Sequence, residues 1–137
     1  MALLSTKGMY GLSAMYELSL KKTNKPTQIK EISASAGIPQ NYLEQLLVVL
    51  RRAELVTSIR GAHGGYFLAK NANDILIKDI LIALEGNLNI VEQEEVNPAI
   101  NLFYKEGNKK LKEIFNLSLF ELQEYQEKVT NQLNYNI

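Results

Sequence analysis

The chain has 137 residues with 15 basic and 15 acidic side chains, one histidine and no cysteine, which excludes disulfides, thiolate metal sites and thiol nucleophiles. Its 46% hydrophobic content suffices for one buried core. No apolar run reaches the length of a membrane span, and the first residues lack the basic-then-apolar layout of a secretory leader, so a soluble, cytoplasmic protein is expected.

Ser5 or Thr6 can cap a first helix with the apolar stripe Met9, Leu12, Met15, Tyr16 and Leu18. Residues 21–26, polar and closing on a proline, end it. A short second helix is expected to open at Thr27, with Ile29, Ile32 and Ala36 on one face and Gly37 as its stop. Ile38 can plug the turn, and Pro39 suits the first position of a third helix. In that helix Leu43, Leu46, Leu47 and Leu50 form a full core-facing stripe, while Gln40, Asn41, Glu44, Gln45, Val48 and Arg52 lie opposite. Two helices joined by a short glycine-containing turn, the second with amides and a carboxylate near its start, form a helix-turn-helix pattern.

After Glu54 the period changes. Residues 55–59 and 66–69 are short β-prone runs, and the intervening Arg60-Gly61-Ala62-His63-Gly64-Gly65 permits a sharp reversal, giving a hairpin with a basic tip. A fourth helix over 77–85, with Ile77, Ile80, Leu81 and Leu84 inward, stops at Gly86. Residues 87–97 are polar and acidic and read as a loop. Pro98 opens a fifth helix whose seam is Ile100, Tyr104, Gly107, Leu111 and Ile114, widened by Phe103 and Phe115. Ser118-x-x-Glu121 is a capping box for a last helix carrying Leu122, Tyr125, Val129 and Leu133. The fold expected is mostly α with a small β-hairpin. A winged helix-turn-helix DNA-binding domain occupies residues 1–86, and a loop and C-terminal dimerisation helices occupy 87–137. The late helices carry more apolar surface than a small winged domain covers alone, which a second copy would bury.

Net charge is zero only in sum. Residues 1–70 hold nine Lys/Arg against four Glu, whereas the remainder holds six Lys against eleven Asp/Glu. A basic front suits a polyanion, although ordinary surface scatter produces asymmetries of this size. The Gln/Asn/Glu face of the third helix is, taken alone, a common solvated face; beside a wing, its amides can pair with adenine and its carboxylate with cytosine. Arg60 is either a solvated loop cation or a guanidinium for a narrow, A·T-rich minor groove. Gly61, Gly64 and Gly65 serve hairpin geometry more readily than a phosphate cradle. His63 has no partner at metal-ligand spacing, and Glu92, Glu94 and Glu95 read as a solvated acidic loop, so no metal site is expected. Tyr42 is split between packing its ring and offering its hydroxyl to a phosphate.

Linked motifs over residues 3–86 resemble one family. Leu4-Ser5-Thr6-Lys7-Gly8-x-Tyr10-x-Leu12 is followed by Gly37-Ile38-Pro39-x-x-Tyr42-Leu43-Glu44-x-Leu46-Leu47-x-x-Leu50-Arg51. Then come Leu55-Val56-x-Ser58-x-Arg60-Gly61-x-x-Gly64-Gly65-Tyr66-x-Leu68-Ala69 and Asp79-Ile80-x-x-Ala83-Leu84-Glu85-Gly86. This series resembles the bacterial Rrf2 family of winged-helix regulators. The resemblance implies a homodimer on a partly palindromic double-stranded DNA operator, with the third helix in the major groove and the wing along the minor groove. On this resemblance Gln40, Tyr42, Glu44 and Gln45 would face bases or phosphates and Arg60 would reach the minor groove. The full candidate DNA-contacting set is Lys7, Gln28, Gln40, Asn41, Tyr42, Glu44, Gln45, Arg51, Arg60, Gly61, His63, Gly64, Gly65 and Tyr66. The apolar seam of the late helices supplies the candidate dimerisation set: Ile100, Phe103, Tyr104, Leu111, Ile114, Phe115 and Leu122. Cluster-binding members carry cysteines in the loop after the fourth helix. Residues 87–97 carry none, so the chain is more similar to cluster-free members such as the cysteine metabolism repressor, and no cofactor is expected.

Function is therefore expected to be sequence-specific DNA binding by a dimeric repressor, its signal supplied by a regulatory protein or a small-molecule effector. The alternative is a protein-interaction module that uses the winged helix or the acidic loop. No acid–base pair, nucleophile or phosphate loop emerges, so an enzyme is not expected.

Overall fold

A computed structural model describes residues 2–135. Along the chain run α1 (Thr6–Ser19), α2 (Ile29–Ala36), α3 (Gln40–Arg52), β1 (Val56–Ile59), β2 (Gly65–Leu68), a 3-10 turn (Ala72–Asp74), α4 (Ile77–Glu85), α5 (Pro98–Ile114) and α6 (Leu119–Tyr135). The chain forms the expected helix-turn-helix followed by a hairpin wing. Among the described residues no helix is long and apolar enough to cross a membrane.

The first helix departs from expectation in the face it buries. Gly8, Gly11, Ala14, Met15 and Leu18 are inside, whereas Met9 is exposed and Leu12 and Tyr16 are half-buried. α4 lies so close that a Cβ on Gly11 would collide with the Leu84 side chain. Small residues make that approach, and a stripe of large apolar residues does not reveal it.

Thr27 does not cap α2. The helix starts at Ile29 with Gln28 at the N-cap position, and Thr27 is buried with its backbone paired to β2. Its amide donates to the Tyr66 carbonyl at 3.0 Å and its carbonyl accepts from the Tyr66 amide at 2.8 Å. An isolated two-stranded ribbon is marginal, and this third segment steadies it. The turn after α2 matches expectation: Gly37 is left-handed at φ 67°, and Ile38, 2% exposed, plugs the turn. Pro39 stands at the N-cap rather than inside α3, and its carbonyl accepts from the Leu43 amide at 2.9 Å.

Leu43, Leu46, Leu47 and Leu50 of α3 are all buried. The helix closes in a Schellman turn. The Leu55 amide donates to the Leu50 carbonyl at 3.0 Å, and the Glu54 amide to the Arg51 carbonyl at 2.9 Å. Glu54 takes the left-handed position, φ 62°, where glycine is usual. The chain then enters the antiparallel wing, with Val56 opposite Leu68, Thr57 opposite Phe67, Ser58 opposite Tyr66 and Ile59 opposite Gly65. A Cβ on Gly65 would strike the Thr27 carbonyl, so the three-segment pairing requires glycine there.

Ile77, Ile80, Leu81 and Leu84 of α4 face the core as expected, and the helix ends at Gly86. Its first-turn amides are met by the α5–α6 connection: Ile77 donates to the Leu117 carbonyl at 2.8 Å and Lys78 to that of Phe115 at 2.9 Å. Leu119, fully buried, completes the same core from the start of α6, and Leu88 enters it from the loop. The capping box forms, with the Glu121 amide donating to Ser118 Oγ at 3.0 Å and the Ser118 amide to Glu121 Oε2 at 3.4 Å. At α5, Pro98 occupies the first turn and the Asn97 side chain accepts from the Ala99 and Ile100 amides at 2.9 and 3.3 Å.

Candidate nucleic-acid interface

The buried leucine stripe of α3 turns its opposite side outward, leaving Gln40, Asn41, Glu44, Gln45 and Val48 exposed. Tyr42 sits at the border. It is half-buried, edge-on to Tyr10 of α1 with ring centroids 5.7 Å apart and planes at 73°. That packing fixes the ring and leaves α1 and α3 side by side. Lys7 is exposed in the first turn of α1.

Two side-chain bonds tie the wing to the helices. Gln28 Nε2, at the start of α2, donates to the Ala62 carbonyl in the wing tip at 3.3 Å. Arg51, at the end of α3, reaches Ser58 Oγ of β1 at 3.4 Å. At the tip Gly61 takes φ 113°, and the Gly64 amide donates to its carbonyl at 3.0 Å. Arg60 and His63 project from this turn, both exposed. Gly64 and Gly65 are where the chain passes too near the Ile59 and Thr27 carbonyls for a side chain. Tyr66 is half-buried, its ring against the core and its backbone paired to Thr27. Between α2, the end of α3 and the wing lies a hollow of about 460 Å³ with Lys30, Arg51 and Arg60 around it. Gln28, Arg51, Arg60 and the wing glycines are thus brought together, while Lys7 and the α3 face stand apart from that hollow. Lys30 escaped sequence reasoning because a lone lysine on a short helix carries no motif; only the folded wing makes it a neighbour of Arg51.

The residues expected at a dimer contact divide into two groups. Phe103 (69% exposed), Ile114 (64%) and Ile100 (43%) stand open to solvent. Tyr104 and Leu111 are half-buried, and Phe115 and Leu122 pack partly against the chain's own core. No residue of α5 is buried.

A turn-linked helix pair, with the second helix offering amides and a carboxylate beside a basic glycine-tipped hairpin, defines a winged-helix, DNA-binding transcription regulator. The chain belongs to the Rrf2 family, whose profile, described as an iron-dependent transcriptional regulator, matches residues 4–133. It is 46% identical over 97 residues to the HTH-type transcriptional regulator CymR of Bacillus subtilis, spanning 70% of each protein. The solved structure of that protein, described as the global cysteine regulator, has TM-score 0.81 at 40% identity, covering 91% of this chain and 98% of the other. The structure of T. potens IscR has TM-score 0.78 at 34% identity, covering 92% and 89%. IscR of Photorhabdus laumondii is 38% identical over 85 residues, 62% of this chain and 52% of that protein, so the chain spans about half of that relative's length.

Proposed function

We propose that this protein is a cytoplasmic, dimeric repressor that reads a partly palindromic operator without an iron–sulfur cluster. The observation that carries the reading is the solvent-facing row Gln40, Asn41, Glu44 and Gln45, backed by the buried leucines of α3, in a chain whose wing tip also exposes Arg60. The row enters the major groove; Arg60 and His63 follow the minor groove; Lys7, Gln28, Tyr42 and Arg51 meet phosphates. Gly61, Gly64, Gly65 and Tyr66 shape the wing rather than touch bases. Residues 1–86 form the DNA-binding unit, and the arm over 87–137 supplies the dimer contact through Ile100, Phe103, Tyr104, Leu111 and Ile114, with Phe115 and Leu122 supporting it. Twofold pairing sets the two α3 helices about one DNA turn, ~34 Å, apart.

The family description names iron, and the residues here do not fit a cluster. There is no cysteine anywhere in the chain, and the only histidine is at the wing tip. Among the described residues no three His, Asp or Glu side chains converge on one point. The signal therefore comes from a small molecule or a partner protein that favours one arrangement of the two heads, received at residues 87–97.

The test is binding to genomic fragments at two salt concentrations. Glu44→Ala or Gln45→Ala shifts base preference at a cost of about 1–3 kcal/mol per lost base contact. Neutralising Lys7 or Arg51 weakens every sequence alike and reduces the salt slope by about one per contact. Uniform loss in all four variants overturns the assignment of α3.

A further inference from the structure

Ser5 stands at the N-cap of α1, yet its side chain makes no cap bond to the first-turn amides. The Ser5 and Gly8 amides are met instead from the far end of α4. One oxygen of Glu85, Oε1, accepts from the Ser5 amide at 2.9 Å, the Ser5 hydroxyl at 2.7 Å and the Gly8 amide at 3.1 Å. A Cβ on Gly8 would collide with that same oxygen, and one on Gly11 with Leu84. The last turn of α4 is therefore inserted into a two-glycine notch on α1.

Helix electrostatics say which helix this carboxylate serves. Glu85 is the final residue of α4, at the negative end of that helix's dipole, where an anion is unfavourable. For α1 it lies at the positive end, and the first turn of α1 has no acidic residue of its own while carrying Lys7. Charge-assisted bonds of this kind are roughly twice as strong as neutral ones. The position costs α4 and stabilises α1.

We propose that Glu85 is a positioning residue for DNA binding: it fixes the first turn of α1 so that Lys7 is presented to a phosphate. This rests on the DNA-contact reading of Lys7 given above. Glu85 itself touches no DNA, and its charge opposes DNA. Removing it would by electrostatics alone strengthen binding, so a loss reports positioning.

The experiment measures operator affinity and its salt dependence for the full chain and for Glu85→Gln, Glu85→Ala, Lys7→Ala and the Lys7→Ala/Glu85→Ala double variant. Circular dichroism confirms folding at the working temperature, and Glu85→Gln carries the comparison should the alanine variant unfold. Glu85→Ala loses about tenfold, with a salt slope shallower by about one phosphate contact. Glu85→Gln, which keeps an acceptor oxygen, loses less. In the Lys7→Ala background Glu85→Ala costs nothing further. Unchanged or raised affinity in Glu85→Ala, or an equal further loss on top of Lys7→Ala, overturns the proposal. Amide exchange at Ser5 and Gly8 reads the cap without DNA. Faster exchange in Glu85→Ala, combined with no fragment bound by the unaltered protein, sinks the DNA reading and the positioning role together while leaving the cap standing. Unchanged exchange refutes the cap itself.

Discussion

The head and the arm of this protein solve the problem of apolar surface in opposite ways. In the head, the stripes of α3 and α4 face one another across a core that also takes in Met15, Ile32, Val56 and Ile75, all essentially inaccessible to water. In the arm, α5 buries nothing, and Leu102, Phe103, Ile114, Phe120 and Leu133 stand exposed. Exposed apolar residues in ones and twos are ordinary, but so many on two helices are what the dimer contact proposed above would cover. The head satisfies its own apolar surface; the arm leaves its apolar side chains open, as the proposed dimer requires. The junction between them is not a loose tether, because Leu119 at the start of α6 is sealed inside the head's core. Deleting the whole arm would thus open the head as well, so substitutions on exposed positions separate the two better than truncation.

The difference predicts distinct signatures in unfolding and binding. Leu50→Ala, in the centre of the head, should lower stability by about 2–5 kcal/mol through lost transfer energy and a residual cavity. Chemical denaturation at two protein concentrations checks it: the loss should be of similar size at both. On the dimeric reading proposed above, Phe103→Asp should leave the circular dichroism of the head intact while yielding a monomer. Operator affinity should then fall on the order of a hundredfold, since two linked heads bind through effective concentration and one head does not. Light scattering and anisotropy titration measure the two effects; a Phe103→Asp dimer with full affinity would remove the arm from the interface. The smallest effect is a gain. Glu54 holds a left-handed conformation at the exit of α3, and Glu54→Gly should relieve roughly 1 kcal/mol of backbone strain, partly offset by the freedom glycine gains when unfolded. Thermal melts that show no rise would mean the Glu54 side chain compensates in a way its backbone does not reveal.

Legibility in the sequence followed the size and periodicity of side chains. The leucines of α3, the isoleucines and leucines of α4, the stop at Gly86 and the Ser118–Glu121 box were readable because each is a repeated or paired signal within one element. What escaped depends on contacts between distant segments. The buried face of α1 uses Gly8 and Gly11, whose value lies in the atoms they lack. Thr27 looks like a helix cap until Tyr66, in the wing, claims its backbone. Leu88 is one apolar residue in an acidic loop, and Asn97 one amide among several polar neighbours, so neither stands out before its partners are in place. Within the candidate interface, the outward face of α3 was legible from the spacing of the leucines behind it. The ties Gln28–Ala62 and Arg51–Ser58 were not, because they join residues from different elements.

The pairing of Thr27 with Tyr66 has a consequence for motion. Two backbone hydrogen bonds close residues 28–65 into a ring that contains α2, α3 and most of the wing. The closure ties the start of α2 to the wing, with α3 between them. Opening is expected to be shared, with the Tyr66 amide and the mid-α3 amides exchanging with solvent through one common event rather than in separate steps. Loosening the knot at Thr27 is then expected to free α3 and the wing together, the two elements proposed above to meet DNA.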